Sequence, residues 1–395
     1  MVTASHNPAQ YNGYKAYGPD GCQMTDDAAA IVYDEIQKTD ILTGAKYMSF
    51  AEGVEEGLIR FVGDDCKRAL YDAIESRQVR PGLCKTAGLK LVYSPLNGSG
   101  LVPVTQILKD IGITDVTIVP EQEYPNGYFT TCSYPNPEIF AALEQGLKLA
   151  KEVDADLVLA TDPDADRLGV YVKDTKSGEY IPFTGNMSGL LIAEYELSQK
   201  KEKGILPKNG ALIKTIVSSD MADAITEEYG IKLIEVLTGF KYIGEQIKIF
   251  EETKEYEYLF GYEESYGCLV GTHARDKDAI VAVMALCEAA CYYRAKGETL
   301  WDQMNNIYEK YGYYKETQVS IVLEGAEGAE KIQEMMSNMR NTSIEEIGKY
   351  KVLEFKDIDR DYVKNMVTGE ESKSGLPKSN VLYYGLEDNS WCCVR

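Results

Sequence analysis

Long apolar runs, CxxC metal-ligand pairs and excess positive charge are all missing from this chain. No stretch approaches the ~18 consecutive apolar residues that cross a bilayer, and the amino terminus has no basic region followed by an apolar stretch and a cleavage site. The expectation is a cytoplasmic protein with no membrane contact. The nine cysteines (Cys22, Cys66, Cys84, Cys132, Cys268, Cys287, Cys291, Cys392 and Cys393) form no CxxC pair and mostly sit in apolar patterns. They read as reduced packing residues rather than as a zinc site. The two histidines, His6 and His273, are not framed as a metal pair. Lys and Arg total 41 against 63 Asp and Glu, a formal net charge of -22, which argues against nucleic-acid binding because phosphate backbones need a basic footprint. A small phosphorylated ligand is not excluded, since a local cluster of cations and backbone N–H groups acts within a Debye length of ~8 Å.

What is present is ordinary for a globular chain: 395 residues, 44% hydrophobic and 26% charged, enough for roughly two to four domains. Residues 26 to 38, behind Thr25-Asp26-Asp27, and 63 to 77 carry apolar residues at helical spacing. They precede a basic linker at Arg80-Pro81-Gly82. A regular α/β pattern follows: a strand at Leu89-Lys90-Leu91-Val92-Tyr93, a turn at Asn97-Gly98-Ser99-Gly100, a helix over 101 to 111 and a strand at 116 to 119. A helix over 137 to 152 and a buried strand over 155 to 160 complete it. A second alternating block has strands at 211 to 217, 232 to 236 and 258 to 260 and a long helix over 278 to 295. Beyond Tyr314 the period changes to a strand at 317 to 323, a helix at 329 to 340 and β-rich segments at 350 to 355 and 380 to 395. The domain boundaries expected are 1–82, 83–205, 206–311 and 312–395.

Three polar loops carry the chemistry. Thr3-Ala4-Ser5-His6-Asn7-Pro8, with Asn12-Gly13 and Lys15 behind it, reads as a tight irregular loop, because Pro8 restricts Asn7 and Asn-Gly favours a turn. It presents a hydroxyl for chemistry or is an ordinary polar turn. Asp162-Pro163-Asp164-Ala165-Asp166-Arg167 puts carboxylates at alternate positions after a buried strand. Such an array converges on a hard cation such as Mg²⁺ or forms a solvated acidic turn. Glu263-Glu264-Ser265, inside Gly261-Tyr262-Glu263-Glu264-Ser265-Tyr266-Gly267, suits vicinal sugar hydroxyls or a plain surface loop. Lys241 and the Arg275-Asp276-Lys277-Asp278 cluster offer charge to a ligand phosphate or pair with exposed acids. In open α/β sheets, ligands gather outside the carboxyl ends of the strands, where these loops lie.

In this order and at these separations, the three loops resemble the signature loops of the phosphohexomutase superfamily. Thr238-Gly239-Phe240-Lys241 and Ala274-Arg275-Asp276-Lys277-Asp278 bring the resemblance nearest to the longer bacterial phosphoglucomutases. The resemblance spans nearly the whole chain. It implies successive mixed α/β-sheet domains around a central cleft, with a partial carboxyl-terminal α+β domain. It implies Ser5 as a phosphoserine, Ser5 with Asp162, Asp164 and Asp166 as the ligands of Mg²⁺, and His6, Lys15 and Arg167 as catalytic neighbours. Thr238, Gly239, Lys241, Glu263, Ser265 and Arg275 would contact the sugar phosphate. The reaction implied interconverts glucose 1-phosphate and glucose 6-phosphate, with glucose 1,6-bisphosphate as the activating intermediate and a monomer or homodimer as the working form. Mannose or pentose phosphates, and a phosphosugar-binding protein without catalysis, are the alternatives. The family pattern also has a segment before the serine loop and an Arg-Pro-Ser-Gly-Thr-Glu-Pro-type phosphate loop where this chain ends at Arg395, so the chain reads as truncated at both ends.

Overall fold

The computed structural model describes residues 1–395, which divide into two units, Met1–Tyr314 and Lys315–Arg395. The first unit opens on the serine loop and three helices, α1 (Asp26–Lys38), α2 (Phe50–Glu55) and α3 (Asp64–Glu75). Helix α2 lies outside the elements expected from sequence. Its signal is the capping box Ser49-Phe50-Ala51-Glu52, in which Ser49 Oγ accepts from the Glu52 amide and the Glu52 side chain accepts from the Ser49 amide. Helix α1 matches its expected span, although Thr25 makes no side-chain cap there. Arg80-Pro81-Gly82 is anchored rather than a free linker. Glu288 accepts the Val79 and Arg80 amides at 3.0 and 2.9 Å, and Cys84 is buried in the following turn.

The first sheet is built from β1 (Lys90–Ser94), α4 (Leu101–Ile111), β2 (Asp115–Ile118), α5 (Phe140–Val153), β3 (Leu157–Thr161), β4 (Leu168–Lys173) and β5 (Tyr180–Phe183), with strand order β2-β1-β3-β4-β5. Strands β1, β2 and β3 run parallel, while β4 and β5 return antiparallel. Strand β3 is buried along its whole length, which is why it reads as a continuous apolar run. Helix α5 starts later than expected, at Phe140, so that Pro137 lies ahead of it rather than in its first turn.

Helix α6 (Gly185–Glu202) leads to the second sheet: β6 (Gly210–Thr215), α7 (Met221–Tyr229), β7 (Lys232–Val236), α8 (Phe240–Thr253), β8 (Glu257–Tyr262) and β9 (Cys268–Val270), in the order β7-β6-β8-β9. Helices α9 (Ala279–Arg294) and α10 (Leu300–Tyr311) complete the unit. Helix α9 is apolar on nearly every side and buried from Ala279 to Tyr293 apart from Ile280 and Tyr292, as a helix enclosed by others must be. In each sheet the chain leaves a central strand to one neighbour and then crosses to the other side. This creates switch points between β1 and β3 and between β6 and β8. The aspartate loop follows β3 and the Glu263 loop follows β8.

The second unit holds α11 (Gly325–Asn341), β10 (Glu346–Ile347), β11 (Tyr350–Asp357), β12 (Tyr362–Asn365), β13 (Glu371–Ser372), β14 (Leu382–Leu386) and β15 (Trp391–Val394). Its antiparallel sheet has the order β13-β12-β11-β14-β15, with a core of Met336, Val352, Leu382, Tyr384 and Leu386. The strand expected at 317 to 323 does not form. Val319, Ile321 and Val322 are exposed there, because an alternating pattern becomes a strand only where a neighbour completes its ladder. All nine cysteines are unbridged. No helix is long and apolar enough to cross a membrane.

Candidate active site

The serine loop is pinched at its base. Val2 bridges Tyr14, the Thr3 amide donates to Gly13 O at 3.0 Å, and the Lys15 amide donates to Met1 O at 2.9 Å. The closeness of the two loop segments forbids a side chain at residue 13, where a Cβ would lie 2.3 Å from Thr3 O. Ser5 stands at the turn with φ +52°, a left-handed conformation that costs a non-glycine residue roughly 1–2 kcal/mol. Strain of this kind persists where neighbours fix it, and here they do.

The aspartate loop is just as constrained. Asp162 is fully buried, and its Oδ1 accepts the amides of Asp166 and Arg167 at 3.0 and 2.9 Å, closing the loop on itself. Behind it, Ser99 donates to Pro163 O from both its amide and its hydroxyl, at 2.9 and 3.0 Å. Gly98 sits so close that a Cβ there would lie 2.3 Å from Pro163 Cα and 2.5 Å from Pro163 O. Both are backbone atoms, which cannot swing aside as the end of a flexible side chain could. Gly98→Ala is therefore expected to destabilise the protein by about 2–3 kcal/mol through overpacking. Chemical denaturation checks this, and an unchanged midpoint would contradict it.

The two loops meet at Ser5. Its Oγ lies 3.1 Å from Asp162 Oδ2, 3.1 Å from Asp164 Oδ1 and 3.2 Å from His6 Nδ1. One hydroxyl proton cannot serve three acceptors, so this oxygen stands where positive charge is wanted. Each carboxylate has one oxygen held from outside. Asp162 Oδ1 takes the two amides, Asp164 Oδ2 takes Thr3 Oγ1 at 3.1 Å and Lys15 Nζ at 3.3 Å, and Asp166 Oδ2 takes Lys15 Nζ at 3.1 Å and Lys277 Nζ at 3.0 Å. The other oxygens remain: Asp162 Oδ2, Asp164 Oδ1 and a buried Asp166 Oδ1 with no hydrogen-bond partner. One ligand atom from each of the three aspartates lies within 4.8 Å of the others. Three carboxylate oxygens and a hydroxyl, with an unpartnered oxygen among them, fit a hard divalent cation.

Electrostatics agree with that donor set. Burial, reinforced by Asp166 and Asp164, pushes the Asp162 carboxyl well above the usual range. Burial acts the same way on Asp164, but the hydrogen bond with Asp162 and the Lys15 ammonium bring it below its ordinary value. Burial opposes the charge of Lys277, yet Asp166, Asp276 and Glu263 outweigh it and hold the ammonium charged. Burial, helped by Arg167, lowers His6 to about 4, which leaves a neutral imidazole at neutral pH, stacked on Tyr134.

The Glu263 loop joins the aspartate loop through backbone contacts. Arg167 bridges Gly267, and the Leu168 amide donates to Tyr266 O at 3.0 Å. Glu263 is buried and accepts the Gly239 amide at 2.8 Å, which brings the 238–241 turn to its side. Burial raises the Glu263 carboxyl, and Lys277 opposes that rise. Ser265 and Thr238 are half-buried on their loops. Arg167 pairs with Glu138, its Nε buried without a partner. Two residues face elsewhere: Lys241 Nζ pairs with Asp26 at 2.6 Å, and Arg275 pairs with Glu251 on α8.

The sequence leaves Lys277 open between ligand charge and exposed ion pairs, and the structure makes it a half-buried member of the site. It joins Asp166 to Asp276, whose Oδ2 accepts from Tyr17 OH at 2.8 Å. The available signal was its place between two aspartates just ahead of a long apolar helix.

Models of the phosphoglucomutase/phosphomannomutase α/β/α domains match this chain in order, domain I over residues 1–42, domain II over 70–178 and domain III over 184–311. The phosphoglucomutase of Staphylococcus saprophyticus is 32% identical over 395 residues, covering 100% of this chain and 70% of that protein. The chain belongs to the phosphoglucomutase/phosphomannomutase family. The Staphylococcus epidermidis phosphoglucomutase is 33% identical over 382 residues, covering 97% of this chain and 68% of its own length. Among solved structures, a phosphomannomutase-like protein of Thermus thermophilus shares the fold at a TM-score of 0.61 and 23% identity, over 79% of this chain and 63% of that one. An Aspergillus fumigatus N-acetylphosphoglucosamine mutase, solved with glucose 1,6-bisphosphate, does so at a TM-score of 0.51 and 17% identity, over 86% and 80% of the two chains. The family's mixed α/β domains are those found here.

Proposed function

We propose that the chain performs phosphoserine-based mutase chemistry on a hexose phosphate, interconverting glucose 1-phosphate and glucose 6-phosphate. The observation that carries this reading is Ser5 Oγ, held at 3.1 Å from both Asp162 and Asp164 beside a neutral His6. The site would pass a phosphoryl group from phosphorylated Ser5 to one sugar hydroxyl, releasing the Ser5 oxygen, and recover the phosphoryl group carried at the other end of the sugar after the bisphosphate reorients. Such transfers need positioning and charge dispersal more than covalent chemistry. Asp162, Asp164 and Asp166 would hold Mg²⁺, which supplies that dispersal when bound. The remaining work belongs to the chain itself. His6 Nδ1 is placed to accept the Ser5 proton, and Lys15 lies where it can support phosphate oxygens. Arg167 has a buried guanidinium N–H to offer, and Glu263 and Ser265 can exchange hydrogen bonds with sugar hydroxyls. Lys241 and Arg275 enter only by exchanging Asp26 and Glu251 for a ligand phosphate.

Glucose is chosen over other sugars on the names of the Staphylococcus relatives at 32–33% identity. A coupled assay with Mg²⁺ and glucose 1,6-bisphosphate tests the choice. Glucose 1-phosphate should turn over faster than mannose 1-phosphate or ribose 1-phosphate, and a preference for either of the others would contradict it.

A further inference from the structure

Thr3 stands at the junction of the two loops, with no role yet assigned to it. Its hydroxyl does two things at once. As acceptor, Thr3 Oγ1 takes the Ser5 amide at 2.8 Å; as donor, it gives its single proton to Asp164 Oδ2 at 3.1 Å. The two bonds use separate capacities of one hydroxyl, so neither competes with the other. Thr3 is itself fixed, because its amide bonds to Gly13 O and the two segments of the loop are too close there for a side chain at residue 13. Its reach therefore runs from the base of the serine loop to the second carboxylate of the aspartate loop, 161 residues away in sequence.

We propose that Thr3 is a positioning residue that sets both the strained turn of Ser5 and the orientation of Asp164 for the divalent cation. The bond to the Ser5 amide secures a backbone at φ +52° that serine would otherwise leave. The bond to Asp164 Oδ2 fixes the carboxylate plane and turns Oδ1 toward Ser5 Oγ, the side on which Asp162 Oδ2 also lies. Lys15 also holds Asp164 Oδ2, at 3.3 Å, but it is shared with Asp166, and its charge repels a cation while orienting the ligand. Thr3 is the neutral holder of the pair. Its loss removes orientation and leaves the net charge of the site unchanged. Outer partners of metal-binding carboxylates typically carry about 10–100-fold in affinity.

This inference rests on the cation reading given above. Mn²⁺ affinity, followed by calorimetry and by the electron paramagnetic resonance signal of the free ion, tests it without reference to turnover. Thr3→Val keeps the shape and drops the hydroxyl, and it is expected to bind Mn²⁺ about tenfold or more weakly than the native chain. Thr3→Ser restores the hydroxyl and is expected to bind within about threefold of native. If Thr3→Val does not fold, Thr3→Ala carries the same expectation. Native-like affinity in the variant without the hydroxyl would overturn the proposal, as would a Thr3→Ser affinity as weak as that variant's. Failure of the native chain itself to bind Mn²⁺ would overturn the cation reading, and this role of Thr3 with it.

Discussion

On the proposed reaction, Ser5→Ala is expected to lower glucose 1-phosphate turnover by on the order of 10⁶-fold, the scale on which loss of a covalent nucleophile acts. The substitution removes one oxygen and nothing that holds the loop. The Ser5 amide still donates to Thr3 Oγ1, and the Thr3–Gly13 contact closes the loop as before. Alanine meets the same cost as serine at φ +52°, so the conformation is not made harder to reach. The three acceptors around the lost hydroxyl, Asp162, Asp164 and His6, stay where they are. The variant should therefore unfold near the native midpoint and retain its affinity for sugar phosphate while turning nothing over. A steady-state assay beside a thermal melt separates the two effects. Turnover above a hundredth of native would show that another group carries the phosphoryl transfer.

Asp162→Asn is expected to remove any stabilisation by added Mg²⁺ and, without the ion, to raise the stability of the fold by upwards of about 1 kcal/mol. The two effects share one cause. Asp162 is fully buried beside two further carboxylates, and both burial and those neighbours work against its charge. An asparagine keeps an oxygen for the Asp166 and Arg167 amides, so the loop remains closed. What disappears is a negative charge useful only when a cation is there to meet it. Alanine would be the poorer test, because it leaves those two amides without a partner at roughly 1–3 kcal/mol each. Thermal melts with and without millimolar Mg²⁺ decide the matter. A native-size Mg²⁺ shift in the Asn variant would contradict the assignment, and a lower melting point without Mg²⁺ would contradict the electrostatic account.

The sequence made the sheets legible wherever an apolar run stood between turns. Strands β1, β3, β6 and β7 follow that rule, and each ends close to where its β-branched and leucine residues end. Helix α6 escaped because it is buried on almost every side, from Gly185 to Leu197 with the exception of Met187, and so carries no polar stripe to reveal its period. Strands β4 and β5 escaped because they pair antiparallel at the edge of a sheet whose other members alternate with helices. The segment at 317 to 323 failed in the opposite way: the alternation is present and the partner strand is not. For the site, the loops that sequence singles out are the ones the fold brings together at Ser5. Lys277 was harder to read, since a lysine between two aspartates looks the same whether it lies in solvent or under three carboxylates. The partners of Lys241 and Arg275, Asp26 and Glu251, depend on tertiary neighbours that no local pattern encodes.

The central claim is that Ser5 carries the phosphoryl group between the two ends of the sugar. Peptide mass spectrometry of the chain after incubation with glucose 1,6-bisphosphate and Mg²⁺ addresses it most directly. The account predicts one phosphate, on Ser5, lost when excess glucose 1-phosphate is added as acceptor. Unmodified Ser5 in a protein that still turns over, or phosphate on one of the aspartates instead, would contradict it.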